Sequence, residues 1–376
     1  MSGETGRNML RSPSVLIAVA AFLLGVTGLL TIISSRYDAI VQPDILLAKQ
    51  AAFLATGMIV MFAASAVPFR VYRKYALWFG VVGMAFLLII PLCGVRVHGM
   101  RGWLRFGAVS LQPSELMKAP FLLVLAVIMG RREGSEFRRF CLGALWTVVW
   151  TIPVVLQQDF GTAVVYFGTF VLLYFAVGGR AAYLPIPLSA GIVAAALFIC
   201  RHPYAWRRLS GFLDPGGDPQ GSGWHARQFE IAIARGHLFG VKLGGAIWSN
   251  YILPFPYNDS AFATLSETLG FTGGVLVCSA LVLLASSLWR LSKKTTRREN
   301  RIFIIGVMLL LTLQGVIHIS VNLCLLPATG LTMPLVSYGG SSLIGCFLML
   351  GMAMSAGNER EAVSEKHNQE DAQCEA

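Results

Sequence analysis

Asp259 closes a polar stretch, 202–260, and stands directly before an apolar run that begins at 261. Two readings fit it. Aspartate is favoured as a helix N-cap, and a partly desolvated carboxylate at a water–lipid boundary can serve as a general base. The same stretch carries Arg207 and Arg208, with Lys242 as a further cation. Guanidinium groups match phosphate oxygens in bidentate fashion, and equally anchor lipid headgroups. Asp214 and Asp218 each precede a proline and read as turn formers. Over 225–233, Phe229 and Ile233 fall at helical spacing beside Arg227, Gln228 and Glu230. That predicts a short amphipathic helix lying on the outer leaflet or packed on a helix bundle. His225 alone reads as a core or surface histidine.

Other polar groups sit inside apolar runs. Glu267 lies about two turns into the run after Asp259, and an ionisable group within a membrane helix is a functional candidate by default. Glu115 and Lys118 form an i,i+3 pair just after Pro113. Gln314, His318 and Asn322 stand at i, i+4 and i+8, a stripe that faces a bundle interior or a cavity rather than lipid. Hydrogen bonding between helices is its simpler use. Over 325–342, Pro327, Gly330, Pro334, Gly339 and Gly340 predict irregular, re-entrant backbone, which at membrane depth must be buried in protein or line a wet cavity. Gly339 and Gly340 allow close approach of a backbone or a ligand.

The elements that position these groups are membrane helices. Of 376 residues 55% are hydrophobic and only 13% charged, whereas a soluble domain carries about a quarter charged residues. Apolar runs recur over 14–34, 47–66, 75–94, 113–130, 140–157, 159–177, 182–201, 261–289, 302–325 and 335–356, each long enough for a hydrocarbon layer of roughly 30 Å. The fold class is therefore an all-α integral membrane protein of about ten helices, with one large loop between the seventh and eighth. The first run is too long for a signal-peptide core and is read as a retained helix.

The net charge of +11 follows topology rather than nucleic-acid binding. Arg7 and Arg11, then Arg70, Arg73 and Lys74, then Arg131, Arg132, Arg138 and Arg139, then six cations between Arg290 and Arg301 occupy alternate connections. The positive-inside rule makes that side cytoplasmic. Both termini then lie inside, and 95–112, Asp159, 202–260 and 326–334 lie outside. The chain divides into a cytoplasmic 1–13, a membrane domain 14–356 and a polar tail 357–376 expected to be disordered. Seven cysteines show no CxxC or Cys/His metal spacing, and none falls in the polar stretch to clamp it.

Together these segments resemble the SEDS family of bacterial wall glycosyltransferases, which includes the FtsW and RodA proteins. Arg101, Gly102, Trp103 and Leu104, followed by Gln112, Pro113, Ser114 and Glu115, resemble its R-x-W-L and Q-P-S-E motifs. Asp159, Phe160, Gly161, Thr162 and Ala163 resemble D-[LF]-G-T-A. Phe212, Leu213, Asp214 and Pro215, then Asp218 and Pro219, then Gly221, Ser222, Gly223 and Trp224 resemble F-L-D-P, D-P and G-x-G-[YW]. Residues 337–342 read S-Y-G-G-S-S.

The resemblance covers about 14–356 and implies polymerisation of lipid II at the outer face of the bacterial cytoplasmic membrane. It leans to the division branch and hence to the septum, with elongation polymerase, lipid II flippase and non-catalytic division scaffold as the other readings. It carries the catalytic role onto Asp259. It implies that Arg101, Trp103, Arg105, Asp159, Arg207, Arg208, Lys242, Glu267, Ser337, Tyr338, Gly339 and Gly340 serve the substrate, the five cations by stabilising the leaving pyrophosphate. Implied partners are lipid II, a class B penicillin-binding protein, other division proteins and membrane lipids, with no nucleic acid. No cofactor or metal ligand set is evident, and a divalent-cation requirement is not readable from the residues. The chain departs from the family where Tyr257 and Asn258 replace a usual His-Thr, where Thr329 replaces a usual Lys, and where Tyr251 replaces a frequent acid.

Overall fold

The computed structural model describes residues 12–35, 43–97, 100–107, 109–131, 133–218, 221, 223–241, 243–253 and 255–374. Arg7, Arg11, Arg132, Pro219, Ser222 and Lys242, all named above, lie outside the described residues.

Apolar composition sets the helices, and proline and polar caps set their starts. The first is α1 (Pro13–Ser34), with proline in its first turn. Next come α2 (Pro43–Ala66), a short α3 (Phe69–Lys74) and α4 (Ala76–Cys93). The fourth span is two pieces, α5 (Pro113–Leu116) and α6 (Lys118–Gly130). In α7 (Glu136–Leu156) the Ser135 side chain caps the start by accepting from the Arg138 N–H at 3.2 Å. α8 (Phe160–Ala176) follows, and then α9 (Pro185–Arg201) behind a 3₁₀ turn. The large loop contributes α10 (Pro203–Leu213), α11 (Trp224–Gly236) and α12 (Ile247–Tyr251). The chain ends with α13 (Ala261–Lys294), α14 (Arg298–Asn322) and α15 (Gly340–Cys374). Among the described residues nine helices are long and apolar enough to cross a membrane, and α8, with 17 residues, is a shorter apolar helix. At 1.5 Å per residue α8 is about 25 Å long, so it makes the tenth span.

The helices bury aromatic and aliphatic side chains between them. Phe121, Trp150 and Tyr166 are fully buried at the α6–α7–α8 junction, with ring centroids 4.7 Å apart for Phe121 and Tyr166. Outward faces stay apolar: Ile186, Ile192, Val193 and Leu197 of α9 are exposed, as a lipid-facing helix requires.

Four features differ from the sequence expectations. The 95–112 connection is a small antiparallel sheet of β1 (Val95–Val97), β2 (Met100–Phe106) and β3 (Val109–Leu111), whose β-branched and aromatic residues suit strands. α13 has 34 residues, about 51 Å if straight, but it bends at Gly270, whose φ of +67° and ψ of −158° only glycine adopts readily. The last helix begins at Gly340 rather than 335, since Pro334 and a left-handed Leu335 keep the preceding backbone irregular. The tail expected to be disordered continues α15 to Cys374; its Glu, Ala, Lys and Gln favour helix once a turn exists.

Hydrogen bonds gather the unusual loops at one end of the bundle. The Arg101 N–H donates to the Gln157 carbonyl at 3.1 Å, Gln112 N–H to Ser341 Oγ at 2.8 Å, and Arg208 Nη1 to the Ala328 carbonyl at 2.9 Å. The basic connections occupy the other end. There Arg73 bonds Asn300 Oδ1 at 2.9 Å, and Arg73 and Arg297 lie 3.8 and 4.0 Å from Glu359.

Candidate functional site

The loop before α13 is pinned residue by residue. Phe255 takes a left-handed φ of +45°, and the turn closes with Asn258 N–H on the Phe255 carbonyl at 2.9 Å. The next four carbonyls each accept a bond from another part of the chain or from α13. Pro256 accepts from Thr264 Oγ1 at 2.8 Å, and Tyr257 from the Tyr338 N–H at 2.8 Å. Asn258 accepts from Ser337 Oγ at 2.7 Å, and Asp259 from Asn322 Nδ2 at 3.0 Å. The cap position of α13 is Ser260, without a side-chain capping bond. An orphan N–H of the first turn, that of Ala263, is instead satisfied by Asn322 Oδ1 at 3.0 Å. One N–H at the start of α13 is thus served from another helix.

Asp259 lines a cavity of about 690 Å³, walled by α10 and α11 on one side and by 326–331 on the other. Arg207, Arg208, Asp218, His225, His318 and Thr329 share its lining. The 326–331 wall passes close to the acid: a Cβ added to Gly330, whose φ is +73°, would lie 3.9 Å from Asp259 Oδ2. Three side chains hold that wall by its carbonyls. Arg208 takes Ala328, His318 Nδ1–H takes Leu331 at 2.8 Å, and Gln314 Nε2 takes Thr332 at 2.8 Å. A carbonyl only accepts, so His318 carries a proton on Nδ1; its Nε2 is buried and has no hydrogen-bond partner among the described residues. Gln314 is in turn fixed by Lys118 Nζ at 2.8 Å, and Lys118 by Glu115 at 2.6 Å. The Gln314, His318 and Asn322 stripe is thus a rail along α14 that holds the 331–332 backbone and the Asp259 carbonyl. Burial, and then the charge of Arg208, hold His225 below the ordinary imidazole pKa.

Several residues expected to meet substrate face protein instead. Glu267 is fully buried away from the cavity. It accepts from Ser249 N–H at 2.7 Å, Trp248 N–H at 3.1 Å and Arg235 Nε at 3.2 Å, so it anchors 235–249 onto α13. Asp159 caps α8 through the Thr162 N–H at 3.1 Å and gathers Gln112 and Ser114 at 3.1 and 3.2 Å. Ser337 Oγ and the Tyr338 main-chain N–H are spent on the 257–258 carbonyls, and the Tyr338 ring lies beside those of Phe53 and Tyr257. Gly340 packs under the Phe53 ring, while Gly339 has open space apart from Ser342. Trp103 and Arg105 lie two apart on β2, but the register slips at Gly102, where Val95 pairs with Trp103 and Arg96 with Arg101, so Arg101 does not continue that face. Arg101, Trp103 and Arg105 do not line the cavity, and Arg101 Nη1 is bonded to the Pro91 carbonyl at 3.0 Å.

Of the expected site residues, the structure brings Asp259, Arg207 and Arg208 together. Sequence reasoning missed Thr264, but it placed His318 and Asn322 facing a bundle interior or a cavity and read 325–342 as irregular backbone around Gly330. The i, i+4, i+8 spacing flagged His318 and Asn322 without showing which groups they hold. Among the described residues no group of three or more His, Cys, Asp and Glu stands together as a metal site.

Comparison with known proteins places this geometry. Residues 14–362 match the FtsW/RodA/SpoVE family, described as "Cell cycle protein". A Coxiella burnetii protein named probable peptidoglycan glycosyltransferase FtsW is 34% identical over 320 residues, 82% of this chain and 85% of that protein. Stage V sporulation protein E of Bacillus subtilis is 32% identical over 356 residues, 92% of this chain and 96% of its own length. A solved structure described as "Structural coordination of polymerization and crosslinking by a peptidoglycan synthase complex" superposes with a TM-score of 0.77. Its identity is 28%, over 92% of this chain and 97% of that one.

Proposed function

The chain belongs to the FtsW/RodA/SpoVE family, and from that premise we propose that it is a peptidoglycan glycosyltransferase that polymerises lipid II at the outer face of the cytoplasmic membrane. It is a multi-pass membrane protein. The observation that carries the reading is the Asp259 carboxylate at the start of α13, lining a cavity of about 690 Å³ together with Arg207 and Arg208. A sugar alcohol is a poor nucleophile near neutral pH, so a positioned base is needed as its C–O bond forms. The acceptor 4-hydroxyl attacks the anomeric carbon of the growing strand, and Asp259 takes the hydroxyl proton. The anomeric bond to undecaprenyl pyrophosphate breaks, and the electron pair leaves on phosphate oxygen. Attack opposite the leaving group inverts the anomeric centre. Arg207, exposed at the cavity rim, meets the developing negative charge, while Arg208 also holds the Ala328 wall.

The assay is polymerisation of purified lipid II by the wild type and by Asp259→Ala. Loss of a general base lowers turnover by about 10²–10⁴-fold, so a folded Asp259→Ala with wild-type activity would overturn the assignment. Labelled lipid II crossing vesicles without polymer would favour a transporter instead. A class B penicillin-binding protein is the proposed partner, in division rather than elongation. Similarity to a peptidoglycan synthase complex supports the partnership, and the naming of relatives as FtsW supports the division role. The same assay with and without that partner measures the dependence.

A further inference from the structure

Asn322 is the last residue of α14 and is fully buried. Its amide uses both ends. Oδ1 accepts from the Ala263 N–H in the first turn of α13 at 3.0 Å. Nδ2 donates to the Asp259 carbonyl and to the His318 carbonyl, each at 3.0 Å. One N–H and two carbonyls fix the orientation of the amide, since the reversed group would set donor against donor and acceptor against acceptor. The start of α13 and the end of α14 therefore meet at one side chain, and Asp259 lies directly at that joint.

We propose that Asn322 is a positioning residue, tying the Asp259 main chain to the ends of both helices and so setting where the Asp259 carboxylate stands in the cavity. The inference rests on Asp259 being the base. Nothing in the geometry brings Asn322 to the substrate: it is absent from the cavity lining, and its donors and acceptor are engaged inside the protein. The other three clamps act on 256–258. Asn322 joins the Asp259 carbonyl to the first turn of α13. Asn322→Asp keeps the shape and the acceptor for Ala263 but replaces the donor by a second acceptor facing two carbonyls. Asn322→Ala removes both ends and introduces no charge.

The test measures turnover of lipid II and, separately, binding of fluorescent lipid II by both variants and by Asp259→Asn. Each is first checked for monodispersity and melting temperature in detergent. Displacing a reacting group by about 1 Å can cost on the order of a hundredfold, so kcat should fall by about 10–100-fold in the Asn322 variants. Lipid II affinity should stay within about twofold, because only the reacting group is misplaced. Should a buried carboxylate unfold Asn322→Asp, Asn322→Ala carries the comparison. Turnover within about twofold of wild type in a folded Asn322 variant, or binding that falls in step with kcat, would overturn the positioning role. Full activity in Asp259→Asn would instead overturn the base, whatever the Asn322 variants do.

Discussion

At the scale of single residues, a membrane-edge aspartate becomes a candidate base because it lines a cavity and its main chain is held on every side. Asn322 caps α13, and the four carbonyls of 256–259 are each held. Left-handed φ values at Phe255, Cys324 and Leu335, from +45° to +65°, lie in segments around this loop and its wall. Such conformations persist only where surrounding contacts over-determine them. The two arginines separate by the same logic. Arg208 is bonded to the wall, whereas Arg207 stands exposed at the rim. Removing a charged hydrogen bond to phosphate is worth about 1.5–3 kcal/mol, so Arg207→Ala should weaken lipid II use by roughly 10–100-fold. Arg207→Lys should recover part of that, since charge is kept and the planar fork is lost. Steady-state kinetics on lipid II read both.

At the scale of elements, the large loop is three helices fastened to a bent α13. Glu267 is the fastening: it holds Trp248, Ser249 and Arg235 at once, and the Arg235 guanidinium lies 5.8 Å from the Trp248 ring centre. Removing one member of a buried, hydrogen-bonded charged group costs about 3–5 kcal/mol. Glu267→Ala should therefore lower the melting temperature in detergent and expose 235–253 to protease, while Asp259→Ala should leave both nearly unchanged. The bend at Gly270 is equally specific. Gly270→Ala would force a Cβ against the Leu238 carbonyl and the Gly240 N–H at a φ of +67°, which predicts a lower yield of folded protein after purification. Much of this was legible beforehand. The ten runs, the proline starts and the short amphipathic helix near 225–233 follow from periodicity and composition. The β-sheet over 95–111 was not, because its three short strands carry too little alternation to stand out.

At the scale of the whole molecule, the loops rich in motif residues share one end of the bundle and the basic connections the other. A cysteine-free variant carrying Gly216→Cys should react with a membrane-impermeant maleimide on intact cells. The same background with Thr296→Cys should react only after lysis. The reverse pattern would turn the assigned topology, and with it the proposed side of catalysis, inside out. The motifs of the SEDS resemblance also divide by location. Only the segment around 207–225 and the acid at 259 reach the cavity, whereas Asp159, Ser337, Tyr338 and Glu267 build the frame that holds them.

The amino-acid order by itself determined the membrane class, the runs from which the helices form and the identity of the acid to test. Those properties depend on local composition, on period and on residues near in sequence. Only the tertiary structure decided which polar groups line the cavity and which face protein. Asn322 and Asp259 are 63 residues apart, and Ser337 and Asn258 are 79 apart. A polar side chain reads the same in sequence whether its partner is a backbone carbonyl or a sugar, because burial of a polar group demands a partner without naming one.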